Sequence, residues 1–311
     1  MRQTCLNMVH QLARSDSRVV FVGSDLGAGT LEAFRQEMPN RFFMEGISEQ
    51  AVIGLAAGLA MEGYVPFVNT IATFLTRRSL EQIAIDVCLH RLPVRLIGSG
   101  GGMVYAPLGP THTAIEDISL MRAMPGMAIV APSDAEEMRA LMPQILDWAG
   151  PVYIRLGKGG DAVIFDAAHG AQLGRAAVKR MPGDVLLIST GVQTAQCLRA
   201  AEALAGAGIG CGVVHLATLA PLDGDGLLRL IAQVRLVVTV EEHIPTGGLG
   251  TAVAELMAEH PGQGGTRLRR LSLPHAYAHE YGSQSDHWAA NGLDAEGIFR
   301  AVRHAMAPPE E

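Results

Sequence analysis

Glu49 heads an unusually apolar stretch, "GISEQAVIGLAAGLAMEGY", residues 46–64. From Ile47 to Met61 the side chains are apolar right round the expected cylinder, so this helix is either buried on all sides or packed against a partner. The acid at its head has two readings. In one it simply complements the helix dipole, an effect of about 0.3–1 kcal/mol; in the other it is held dry enough to exchange a proton with a bound heteroatom near neutral pH. A second stretch, "NTIATFLTRRSLEQIAIDVCLHRLPV" (69–94), spaces Phe74 and Arg77 three apart, as neighbours on a helix. A ring and a guanidinium plane could make a flat stacking surface for a heterocycle, or stand apart as core Phe and solvated Arg. The third, "GSGGGMVYAPLGPTHTAIED" (98–117), is a Gly-rich loop leading to His112. A histidine beyond a strand's carboxyl end is either a ligand contact or an ordinary structural residue.

These residues need a scaffold, and the pattern around them is alternating. Short β-branched runs at 18–25, 64–70, 92–99, 127–133 and 151–157 are separated by helical patterns at 48–62, 74–90, 116–123 and 134–147, the last with Ser133 as N-cap. Strands follow at 184–190, 210–218, 234–242 and 267–274, with a terminal helix near 293–306. The fold class expected is α/β: two three-layer domains with mostly parallel sheets. The first spans 1–165, a turn-rich linker 166–183, and the second 184–311.

With 311 residues, 49 % hydrophobic and 18 % charged, two ordinary domains are accounted for. The net charge of −7 and the lack of basic runs argue against a nucleic-acid partner. No apolar run approaches the roughly 18 residues of a membrane span, and the N-terminus reads as an amphipathic helix, so a cytoplasmic protein is expected. The four cysteines, Cys5, Cys88, Cys197 and Cys211, have no metal-like spacing. "HAYAHEYG" sets His275, His279 and Glu280 close together without a third well-placed ligand, so no metal site is assigned to this chain.

Taken together, "GISEQ…AAGLA", "TFLTR" and "GPTH" resemble the pyrimidine-binding domain of transketolase-like, thiamine-diphosphate-dependent enzymes. "APLDGDGLLRLI" and "VEEHIPTGGLGTAVAELMAE" look like the C-terminal domain of that family, and the resemblance covers roughly residues 2–305. It implies that Glu49 hydrogen-bonds the ring nitrogen of the cofactor's aminopyrimidine and so promotes formation of its carbon nucleophile, with the apolar helix supplying dryness. It implies that Phe74 stacks on that ring, and that Arg77 takes a position aromatic in many transketolases and arginine in deoxyxylulose-phosphate synthases. Asp25, in "VGSDLG", matches an acid near the cofactor, His112 the substrate-facing histidine, and Lys158, in "IRLGKGG", the position of an arginine that holds a sugar phosphate.

Two departures bear on the substrate. Relatives acting on ketoses often read "DGPTH", but Leu108 fills the aspartate's slot, and Gly100 replaces a histidine early in the loop. A leucine accepts no hydrogen bond from a hydroxyl, so a less hydroxylated or unusual sugar is expected. The third departure is larger. The family binds the diphosphate and its metal through an N-terminal domain marked by G-D-G and a later Asn, whereas "GDG" occurs here only at 224–226, in a helix-capping context. The expectation is therefore the β, or C-terminal, subunit of a split enzyme that transfers a two-carbon ketol or acyl unit to an aldehyde acceptor. A separate subunit would hold the Mg²⁺ (or Ca²⁺) and diphosphate for the most part, in an α2β2 assembly, and the chain alone is expected to form a β2 dimer through the helix at 48–62 and the C-terminal domain. The alternatives are a decarboxylating 2-oxo-acid enzyme subunit, like deoxyxylulose-phosphate synthases or 2-oxoacid dehydrogenase β chains, and a non-catalytic scaffold.

Overall fold

Runs of Val, Ile, Leu and Phe that are covered on both faces make central parallel strands, and both halves of the chain are built on such runs. The computed structural model describes residues 1–24, 31–168, 170–260 and 265–307. In the first half, α1 (Arg2–Ser15) leads to β1 (Val19–Gly23), α2 (Glu32–Glu37), β2 (Phe42–Met44), α3 (Glu49–Met61) and β3 (Val65–Ile71). There follow α4 (Ala72–Arg78), α5 (Leu80–Gln82), β4 (Arg95–Ser99), α6 (Asp117–Arg122), β5 (Ala128–Val130), α7 (Ala135–Leu146) and β6 (Val152–Leu156). The second half contributes β7 (Ala177–Arg180), β8 (Val185–Ser189), α8 (Gln193–Gly206), β9 (Cys211–His215), β10 (Thr218–Ala220) and α9 (Gly224–Ile231). Then come β11 (Leu236–Val240), α10 (Leu249–Glu259), β12 (Arg267–Leu271), α11 (Gln284–Ala290) and α12 (Ala295–Met306).

Among the described residues the strands form two sheets, ordered β10-β5-β6-β4-β3-β1-β2 and β12-β11-β8-β9-β7. All pairings are parallel except β10 with β5 and β7 with β9. The expected α/β class and its mostly parallel sheets are thus present, with differences in detail. The stretch read as a linker at 166–183 carries β7, an edge strand of the second sheet. The single helix expected at 74–90 is broken at Ser79 and continues through α5 into a π-helical turn, Ile83–Cys88. The N-cap of α7 is Asp134, whose carboxylate accepts the Glu136 and Glu137 amides at 2.9 and 3.0 Å.

The domains interlock. β10 leaves the second half to pair with β5 of the first sheet, and Ala131 and Ala217 extend that seam with a 2.7 Å backbone bond. Behind it, His215 on β9 meets Glu137 on α7 at 2.8 Å, and both are buried. His215 also contacts Thr194 at 2.7 Å, and Thr194 bonds Ser189 at 2.9 Å. Such a pair is costly to break, because one partner alone is an uncompensated buried group.

Burial pushes the Glu137 carboxyl up, but His215 and the Ser133 amide outweigh it and bring it from 4.5 down to about 2. A depressed carboxyl stabilises the fold above its unfolded value and loses that contribution as pH falls through the folded one. Glu137→Gln should therefore lose on the order of 3 kcal/mol at neutral pH. The deficit relative to wild type should shrink as pH falls from about 4.5 to about 2, as read by urea denaturation over a pH series.

Candidate active site

Glu49 is the first residue of α3, and its side chain meets Ser24 beyond β1 and Arg78 at the end of α4. It is 4 % exposed. Ser24, just past the end of β1, donates to one carboxylate oxygen at 3.4 Å, and Arg78, the last residue of α4, donates to the other at 3.1 Å. The Arg78 guanidinium carbon also lies 4.1 Å from the centroid of the Phe74 ring. His112 meets that ring edge-on, with centroids 5.2 Å apart and planes inclined by 67°. Its Nδ1 is 2.9 Å from the Thr111 hydroxyl. Glu49, Phe74 and His112 thus converge at the carboxyl end of the first sheet, the usual location of a site in this architecture.

Arg77 departs from the sequence expectation. Its guanidinium turns away from Phe74 to Glu116, with one bond of 2.8 Å and a second through Nε, and donates to the Thr113 carbonyl at 3.1 Å. Its other side faces the ring of Tyr277 at 5.5 Å. The ring-and-guanidinium surface exists, but Arg78 forms it. Positions i+3 and i+4 both neighbour Phe74 on a helix, and Glu116 claims the nearer arginine. The clue was the doublet "TRR" itself. Lys158, beyond β6, is exposed, and among the described residues no contact joins it to Glu49, Phe74 or His112. Asp25 lies outside the described residues.

The loop carrying His112 is tied at its base. Gly102 and Ala114 exchange backbone bonds of 2.8 and 3.0 Å, while Gly100 and Gly101 donate to the Leu156 carbonyl at 3.1 and 2.9 Å. The second domain completes the anchor. Glu242, buried just after β11, accepts the Met103 amide at 2.8 Å and the Gln284 amide on both oxygens at 3.0 and 2.9 Å. Burial pushes its carboxyl above the ordinary range, opposed by Arg155. Arg155 on β6 holds Asp117 at 2.8 Å and donates to the carbonyls of Ala114 and Glu242 at 3.1 and 2.9 Å. For Asp117, Arg155 outweighs burial and keeps the carboxyl below its usual range. This anchor was not anticipated from the sequence, although an arginine inside an otherwise apolar strand run was a signal for it. Gly-Asp-Gly at 224–226 forms the first turn of α9, where Asp223 accepts the Gly226 amide at 3.1 Å, so it is a capping element as expected.

Residues 1–160 match the pyrimidine-binding domain of transketolase, and residues 174–298 its C-terminal domain. The chain belongs to the transketolase family. It is 39 % identical to the 6-deoxy-6-sulfo-D-fructose transketolase subunit SqwH of Clostridium sp. (strain MSTE9), over 97 % of this chain and 93 % of that one. It is 36 % identical to 1-deoxy-D-xylulose-5-phosphate synthase 1 of Geobacter sulfurreducens, covering 96 % of this chain but only 48 % of that protein. A solved structure described as a split gene transketolase, inactive beta4 tetramer, superposes with a TM-score of 0.90 at 33 % identity, over 98 % of this chain and 97 % of that one. The split-transketolase β-subunit reading fits these matches better than the synthase alternative, and this transketolase-type chain shares its family's dependence on thiamine diphosphate.

Gly102 has φ +66°, and a Cβ there would stand 2.5 Å from the Glu242 carboxyl carbon. Both the backbone and the space require glycine. Gly102→Ala should lower stability by about 1–3 kcal/mol in urea denaturation. It should also speed hydrogen exchange across residues 103–113 while leaving the second sheet protected.

Proposed function

We propose that this chain, acting in the cytoplasm, is the catalytic β half of a two-chain transketolase that moves a two-carbon ketol or acyl unit from a sugar-like donor to an aldehyde. The observation carrying this reading is the buried Glu49 carboxylate beside the face of Phe74. The fit to a flat heterocycle can be tested on the chain's own atoms. A planar guanidinium already lies over Phe74 while donating to Glu49, so the slot accepts a flat group that both stacks and offers an N–H. Thiamine diphosphate supplies a carbon nucleophile when bound. Glu49 would hold a proton at the pyrimidine ring nitrogen, in surroundings dry enough to make that bond strong. Phe74 would stack on the ring, with Asp25 near the cofactor as the family resemblance implies. His112, on its tied loop, would hydrogen-bond an oxygen of the substrate.

The separate subunit would bring the diphosphate site and its Mg²⁺ (or Ca²⁺), giving α2β2. On α3, Ala51, Gly54, Gly58 and Met61 are exposed while Val52, Ile53, Ala56, Ala57 and Ala60 are buried, which supports a partner chain on the outer apolar face. Leu108, 55 % exposed on the loop that carries His112, stands where the resemblance puts an aspartate that reads a hydroxyl, and supports a donor poorer in hydroxyls than the common ketose phosphates. SqwH is named for a 6-deoxy-6-sulfo sugar, so an anionic-tailed deoxy ketose is the donor class to try first, with Lys158 as the available cation. Arg77, engaged by Glu116, gives the decarboxylating alternative little support.

Reconstituting the two chains with thiamine diphosphate and Mg²⁺ and offering sulfo- and phospho-ketoses beside 2-oxo acids should yield aldehyde without CO₂. Released CO₂ would favour the decarboxylating route. Glu49→Gln should fold normally yet lose turnover by at least about a hundredfold, the lower end of acid–base contributions. Calorimetry on the isolated chain should detect no thiamine diphosphate binding.

A further inference from the structure

The slot that recommends Glu49 and Phe74 for a pyrimidine ring is filled by a side chain of this same protein. Arg78 sits over the Phe74 ring at 4.1 Å and bonds the Glu49 carboxylate at 3.1 Å. Those are the two contacts assigned to the cofactor ring above, and two flat groups cannot share one aromatic face and one carboxylate edge. The pairing is lopsided. The Glu49 side chain is 3 % exposed, whereas that of Arg78 is 47 % exposed. Arg78 is also the terminal residue of α4, with Ser79 already outside the helical region at φ −111°, ψ 21°. Its stem can swing into solvent without unwinding a turn, and the carboxylate cannot follow.

We propose that Arg78 is a displaceable plug of the pyrimidine site, which satisfies the buried Glu49 until the cofactor ring takes its place. The inference rests on the proposed function for the identity of the incoming ring. A buried carboxylate left with only the long Ser24 bond would be poorly satisfied, and a planar cation over an aromatic face is favourable. Arg78 therefore stabilises the chain by itself and opposes cofactor entry to the same extent, because a ligand that must first displace a resident group binds more weakly by that factor. The plug makes loading depend on an alternative partner for Glu49, which the cofactor's ring nitrogen provides and an unrelated planar molecule does not.

Arg78→Ala clears the slot, and Arg78→Lys keeps the charge without the flat fork. In thermal melts of the full chain, Arg78→Ala should lower the Tm, and adding Glu49→Gln should recover most of that loss. In the two-chain complex titrated with thiamine diphosphate and Mg²⁺ by calorimetry, Arg78→Ala should tighten binding about three- to thirtyfold, with Arg78→Lys between it and wild type. Unchanged or weaker binding by Arg78→Ala would overturn the plug, as would melting losses that simply add in the double variant. A wild-type complex that binds no thiamine diphosphate would instead bring down the proposed function, and the plug with it.

Discussion

A carboxylate taken out of water must have a partner, and the site of this protein is organised around that requirement at Glu49. The helix that presents it is apolar on every side, so neither solvent nor its own neighbours can satisfy the charge. Ser24 contributes one long bond, and the remainder falls to whatever occupies the space above Phe74. Acid–base work on a ring nitrogen needs such a group, whose proton is shared strongly because no water competes for it. The same dryness favours the Arg78 guanidinium, which bonds that carboxylate across the face of Phe74.

The second domain is more than a companion to the first. Its Glu242 reaches across to hold the loop that carries His112, and its β10 closes the edge of the first sheet. Arg155 ties both sides by bonding Asp117 in one domain and the Glu242 carbonyl in the other. Each group in that junction is buried, so each is worth more paired, and costs more unpaired, than at a surface. The loop's position is consequently set by the whole two-domain body. Tyr277, on the loop beyond β12, adds to this by covering the outer side of Arg77.

Periodicity and composition made the architecture legible, because buried parallel strands and their covering helices leave period and length signals in the chain itself. The elements missed were those whose partners are distant in sequence. β7 and β10 are short, and only pairing with β9 and β5 makes them strands. The break at Ser79 was equally hidden, since "TRRSLEQI" has adequate helix propensity throughout. Local pattern left Glu49, Phe74 and His112 each open to a purely structural reading; the family resemblance singled them out together, and the fold does bring them together.

The division between what was legible and what was not follows from the range of the forces. By itself the sequence determined the two α/β units through local period and residue type, and it showed the family through a resemblance carried by the motifs around Glu49, Phe74 and His112. Only the tertiary structure decided which of two adjacent arginines faces the ring, because Glu116, 39 positions away, binds Arg77 and leaves Phe74 to Arg78. It alone placed Glu242 beneath the loop, across a separation of 139 residues. Ion pairs and buried hydrogen bonds of that span depend on where the backbone has already been carried, and no local pattern in the chain records it.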